Sequence, residues 1–111
     1  MNEIDVSTEE VARLHEAGEI ELVDIREPHE HEAGRIAGSR HLPLDRLAVE
    51  AASLPTTRPV VFYCRVGGRS SMAAQALRRA GLNARSMAGG LVRWDAERRP
   101  LEPETGSVAD H

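Results

Sequence analysis

The chain has 111 residues, with 14 basic against 18 acidic side chains for a net charge of −4, and a mean hydropathy of −0.40. This length makes one domain with one core, and no run approaches the roughly 18 apolar residues of a membrane-spanning helix. With 3% aromatic residues and a negative balance, a nucleic-acid reader built on base stacking is excluded, and an anionic membrane is a poor partner. The acidic start, Met1 to Asp5, lacks the apolar core of a secretory signal, so a cytoplasmic location is expected.

All 14 basic residues are arginine. They are unevenly placed: residues 1–55 carry 5 Arg and 13 acids, and residues 56–111 carry 9 Arg and 5 acids. The second half would suit a small anion.

In chain order, Glu3–Val6 reads as a short edge strand. Ser7 is a helix N-cap, with Glu10 placed to reach back as a capping box. Val11, Ala12 and Leu14 follow at helical spacing, and Gly18 ends the helix. Ile20–Ile25 is a strand. Glu27-Pro28 opens a polar turn or short helix that Gly34 closes. Ile36–Leu42 is extended, with a break at Gly38. Pro43 starts a predicted helix carrying Leu44, Leu47, Ala48 and Ala51 on one side. Pro59–Tyr63 is the clearest strand, an unbroken apolar run of the kind buried on both faces of a parallel sheet. Ser70–Ala80 is a strong helix with Met72, Ala73, Ala76, Leu77 and Ala80 inward, stopped by Gly81. Ala84–Met87 is a further strand, Gly89-Gly90 a turn, and Leu91–Arg98 a last helix around a core Trp94. Residues 1–99 form the domain, and 100–111 read as a loose tail. Strands alternating with helices indicate an α/β fold with a mainly parallel sheet.

Cys64 is the one cysteine, so no internal disulfide exists. A lone cysteine is by default a small buried hydrophobe, but its surroundings argue for a nucleophile. It ends the central strand, where ligands of α/β sheets gather. Arg65, Val66, Gly67, Gly68, Arg69 and Ser70 follow and run into a helix N-terminus. Two glycines let the backbone turn its N–H groups inward, the helix start adds partial positive charge, and Arg65 and Arg69 add two more charges. That environment favours a negatively charged sulfur.

These residues carry a family resemblance. Cys64–Ser70 resembles the active-site loop of single-domain rhodaneses, which are sulfurtransferases. Val23–Pro28, with Glu30, Gly34, Ile36, Gly38 and Leu42–Leu44, resembles their N-terminal signature, and Met87–Trp94 their C-terminal one. Together the motifs span about residues 3 to 99. Arg35 departs from the histidine common after the glycine. The resemblance implies a rhodanese-like three-layer α/β fold, with a five-stranded, mostly parallel sheet flanked by helices. It also implies a persulfide on Cys64 and no metal or organic cofactor.

Loop length bears on the chemistry. Cysteine phosphatases of this fold place one residue more between Cys and Arg than the four between Cys64 and Arg69. The shorter ring suits one added sulfur, and no general acid for an alcohol leaving group is evident. The expected function is transfer of a sulfane sulfur from a small anion such as thiosulfate to cyanide, a thiol or an acceptor protein. The alternatives are a small cysteine phosphatase or arsenate reductase, and a non-catalytic module, against which the loop cysteine argues.

Elsewhere, Arg26 and Glu30 are expected to form an internal ion pair. Asp24 is expected to cap a turn. His29 and His31 are expected to be solvated, too few to hold a metal, and His41 to be partly buried with its hydrogen bonds satisfied.

Overall fold

The computed structural model describes residues 4–111. Its strands are β1 (Asp5–Val6), β2 (Glu21–Asp24), β3 (Arg40–His41), β4 (Val60–Tyr63) and β5 (Ala84–Met87). Its α-helices are α1 (Thr8–Glu16), α2 (Pro28–Ala33), α3 (Leu47–Glu50), α4 (Gly68–Arg79) and α5 (Gly90–Ala96). The strands form one parallel sheet in the order β1-β5-β4-β2-β3, so the apolar run of β4 sits at the centre. All four β4 residues are 0% exposed. Glu3, the predicted start of β1, lies outside the described residues.

The two-residue period of β4 splits the core. Val60, Phe62 and Cys64 face one way and pack with Leu47, Ala73, Ala74 and Leu77 of α3 and α4. Val61 and Tyr63 face the other way and pack with Val11 of α1 and with Leu91 and Trp94 of α5. Each such large apolar side chain contributes about 1.5–3 kcal/mol on burial. Cys64 is thereby committed to the face that carries α4.

Four local expectations change. On α4, Ala73 and Leu77 face the core as expected, but Met72 is 70% exposed, Ala76 and Ala80 are exposed too, and Ala74 is buried in their place. The Ser7 side chain accepts from the Glu10 N–H at 3.1 Å, but the Glu10 carboxylate turns to Arg13 at 2.8 Å instead of completing a capping box. Residues 44–53 form a 3-10 turn, the single α-turn α3 and a second 3-10 turn rather than one helix. Leu44 and Val49 stand 40% and 76% exposed, so Leu47 anchors the stretch with help only from the partly buried Ala51. A stripe that thin does not hold a regular helix. Of the extended stretch 36–42, only Arg40–His41 pairs as a strand.

The segment after α5 lies against the domain. Arg35 and Glu102 exchange backbone hydrogen bonds at 3.0 and 2.7 Å, the Trp94 indole donates to the Pro100 carbonyl at 2.8 Å, and Leu101 and Val108 pack on the α1–α5 core.

Candidate active site

Cys64 follows the last residue of β4 and has no exposed surface. Its Sγ accepts from the Gly67 N–H at 3.1 Å and from the Ser70 N–H at 3.4 Å. Gly67 is the N-cap of the 12-residue helix α4, and Ser70 is the third residue inside it. The sulfur therefore sits where a helix N-terminus offers its unpaired N–H groups to an anion. Gly67 has φ of +108°, the left-handed turn that leads the chain into α4 and which a side chain would oppose. The Ser70 hydroxyl lies 3.5 Å from Sγ and 2.7 Å from the Ser86 hydroxyl, so β5 braces the loop from beneath.

A second helix start holds the loop from the other side. Leu91 N–H donates to the Cys64 carbonyl at 2.8 Å and Val92 N–H to the Arg65 carbonyl at 3.0 Å. Gly90, with φ of +62°, makes the approach possible: a Cβ there would lie 2.4 Å from the Arg65 carbonyl oxygen. The first turn of α5 satisfies the loop's carbonyls while the first turn of α4 faces its sulfur. The Gly-Gly turn was legible as a turn, but its partner across the fold was not.

The two loop arginines have different company. Arg69 makes a two-pronged pair with Glu30, at 2.9 and 3.0 Å, and is 20% exposed. The Glu30 bonds raise the affinity of Arg69 for its proton, against a smaller opposing effect of burial. Arg65 reaches only Asp110, at 3.5 Å, and its Nε is buried without a partner among the described residues. Val66 at the crest and Gly68 are exposed. An open cleft of about 350 Å³ lies beside Arg69, bordered by Ile25, Pro28, Pro43 and Leu44.

The expected Arg26–Glu30 pair does not form. Arg26 stands two residues after Asp24, on the same side of the chain, and takes both of its oxygens at 2.9 and 2.7 Å. It also donates to the Gly34 carbonyl at 2.7 Å and lies over the Tyr63 ring. Glu30 points instead to the loop, with Oε1 also accepting the Glu27 N–H at 3.1 Å. Both residues are fully buried, but in separate pairs. Burial pushes the Glu30 carboxyl up, and the bonds from Arg69 and the Glu27 backbone more than offset this, holding it below its ordinary value. Asp24 behaves alike: burial raises it, and Arg26 and His31 together bring it down. Asp24 also accepts the Arg26 N–H at 3.0 Å, the turn cap expected of it.

His31 is not a free surface group. Its Nδ1 lies 2.8 Å from Asp24 and its ring stacks on His41 at 4.2 Å. Burial lowers its affinity for a proton, and Asp24 only partly restores it. His41 Nε2 lies 2.8 Å from the Arg26 carbonyl, so the ring is satisfied. This network braces the start of α2, and through Glu30 it reaches the loop.

A rhodanese-like domain model matches residues 7–97, and the chain belongs to that family. It is 34% identical over 107 residues to a sulfurtransferase of Allochromatium vinosum, covering 96% of this chain and 99% of that one. It is 40% identical over 75 residues to an uncharacterized protein of Bacillus subtilis, covering 67% of this chain and 60% of that one. The chain thus spans less than two thirds of the Bacillus relative. Among solved structures, a rhodanese-related protein of Thermoplasma volcanium superposes with a TM-score of 0.81 at 27% identity, covering 87% of this chain and 95% of that one. The rhodanese-like fold and the family-level link to sulfurtransferases follow. Among the described residues, no helix is long and apolar enough to cross a membrane.

Proposed function

We propose that this protein is a thiosulfate-type sulfurtransferase that carries sulfur on Cys64. The Cys64 thiolate attacks the outer sulfur of thiosulfate. The S–S bond of the donor breaks, and sulfite leaves with the electron pair. The sulfur stays on Cys64 as a persulfide anion. A nucleophile then attacks that outer sulfur: cyanide leaves as thiocyanate, or a thiolate leaves as a persulfide, and the Cys64 thiolate is restored. No proton is needed by sulfite as it departs, which fits a loop without a general acid.

One observation carries this reading: Sγ is seated on the Gly67 and Ser70 N–H groups at the start of α4, at 3.1 and 3.4 Å. Those donors are preorganised for negative charge on sulfur and need no rearrangement to receive it. Arg65, whose guanidinium has one weak partner among the described residues, is assigned to the sulfonate end of the donor. Arg69, held by Glu30, is assigned to shaping the loop and adding positive charge. The acceptor is a small thiol or a protein thiol, and the setting is cytoplasmic, where a lone thiol stays reduced.

The rival reading is a cysteine phosphatase, and the four-residue spacing between Cys64 and Arg69 disfavours it. Steady-state kinetics separate the two. Thiosulfate and cyanide should give the parallel-line pattern of a ping-pong reaction, with negligible aryl phosphate hydrolysis. Inserting one glycine between Gly67 and Gly68 should weaken sulfur transfer. Hydrolysis of aryl phosphates as efficient as sulfur transfer would overturn the proposal.

A further inference from the structure

Segment 100–111 runs from the end of α5 across the C-terminal end of α2 to the mouth of the Cys64 loop. Its path is fixed by contacts along its length. Arg35 and Glu102 form an isolated antiparallel bridge. The Ser107 N–H donates to the Ala33 carbonyl at 2.8 Å. Gly34 lies so close beneath that a Cβ on it would meet the Ser107 carbonyl oxygen at 2.3 Å. Beyond this point the segment reaches the site. The Asp110 carbonyl is 3.1 Å from His29 Nε2, and the Asp110 carboxylate is 3.5 Å from Arg65. His111 brings a nitrogen within 4.8 Å of carboxylate oxygens of Glu27 and Glu30 and borders the cleft beside Arg69.

The charge balance at the mouth gives this path a consequence. Arg69 is already neutralised by Glu30 through two bonds. Arg65 is the remaining loop cation, and the segment places a carboxylate on it. Cys64 has no exposed surface, so a donor must displace something to reach it. The Asp110 contact is the easiest to displace, since its side chain is 97% exposed.

We propose that Asp110 is a specificity-determining residue: it occupies Arg65 as an internal competitor and raises the concentration of anionic donor needed to load the site. The inference rests on the sulfurtransferase reading above, with Arg65 as the donor's cation. The segment acts on loading, where the donor brings a sulfonate for Arg65, and not on unloading to a small thiolate, which carries no sulfonate.

Thiosulfate titrations of the wild type and Asp110→Asn, read as persulfide formation by intact mass, test this. At low salt, Asp110→Asn should lower the thiosulfate KM by about 1.5- to 5-fold, the range of one exposed ion pair. The difference should shrink toward nothing at about 0.5 M salt as the pair is screened. Transfer from the loaded enzyme to 2-mercaptoethanol should be unchanged. Gly34→Ala, which dislodges Ser107 without altering any charge, should also lower the KM. An Asp110→Asn enzyme with the wild-type KM at low salt overturns the proposal while leaving the sulfurtransferase reading intact. So does an equal change in loading and unloading. Failure of the wild type to form any persulfide with thiosulfate overturns the underlying reading, and the proposal with it.

Discussion

Replacing Glu30 by glutamine should damage stability and catalysis together. Glu30 is 0% exposed, and both its oxygens are used: Oε1 by Arg69 and the Glu27 N–H, Oε2 by Arg69. The amide in Glu30→Gln keeps the volume but turns an NH₂ toward the guanidinium whichever oxygen it replaces, and toward the Glu27 N–H as well if it takes the place of Oε1. A bond to a charged group is worth about 1.5–3 kcal/mol. The full cost of orphaning a buried charge, about 3–5 kcal/mol, does not apply, because Arg69 at 20% exposure can recover part of its hydration. At about 4 °C per kcal/mol for a domain of this size, Tm should fall by about 6–12 °C. Persulfide loading should slow as well, because Arg69 stands in the first turn of α4, next to Ser70, whose N–H the sulfur accepts. Thermal unfolding followed by circular dichroism, alongside thiosulfate–cyanide turnover at a temperature where the variant is folded, measures both. A cycle with Arg69→Ala should give a coupling of about 1 kcal/mol or more. A Tm within about 2 °C of wild type with unchanged turnover would refute the claim that Glu30 holds the loop through Arg69.

Three further outcomes follow from the same geometry. Arg65→Ala should raise the thiosulfate KM and lower kcat/KM by roughly 10- to 150-fold, the loss of one charge-assisted bond, with little change in Tm; an unchanged KM removes Arg65 from donor binding. Gly90→Ala should cost about 1–3 kcal/mol for the backbone conformation alone and more for driving a Cβ into the Arg65 carbonyl, so urea unfolding should shift to a lower midpoint; a wild-type midpoint contradicts the α5 clamp. His31 is held below its ordinary value of 6.5 in the fold, chiefly by burial. The unfolded chain therefore binds the proton first, and stability should decline as pH falls below about 6.5. His31→Gln should lose that part of the pH dependence, as thermal unfolding between pH 7.5 and 5.5 would report; an equal decline in both proteins rules His31 out.

The sequence revealed most where the signal was local. The β4 run sits at the sheet centre because an unbroken apolar segment has no face to offer to water. The loop glycines fall at a helix start because Gly67 needs a positive φ there. Signals failed where the partner was distant. Glu30 looked near Arg26 in sequence, but its partner Arg69 is 39 residues away and is brought to it only by packing of β2 beside β4. The Asp24–Arg26 pair was readable in principle, since residues two apart in extended chain share a side. The polar composition of residues 100–111 suggested a loose tail. Besides the packing of Leu101 and Val108, what holds the segment is backbone bonding to Ala33 and Arg35, which composition does not encode. Ser86 could not have been singled out, because its role depends on β5 lying next to β4.

The most direct test of the account is the intact mass of the protein after brief treatment with thiosulfate, wild type beside Cys64→Ser. The wild type should gain the mass of one sulfur atom and lose it on addition of cyanide, with thiocyanate appearing in equal amount. Cys64→Ser should gain nothing and remain folded, since the swap changes one atom. A wild type that never gains sulfur, or a Cys64→Ser variant that still turns over, would contradict sulfur transfer through Cys64.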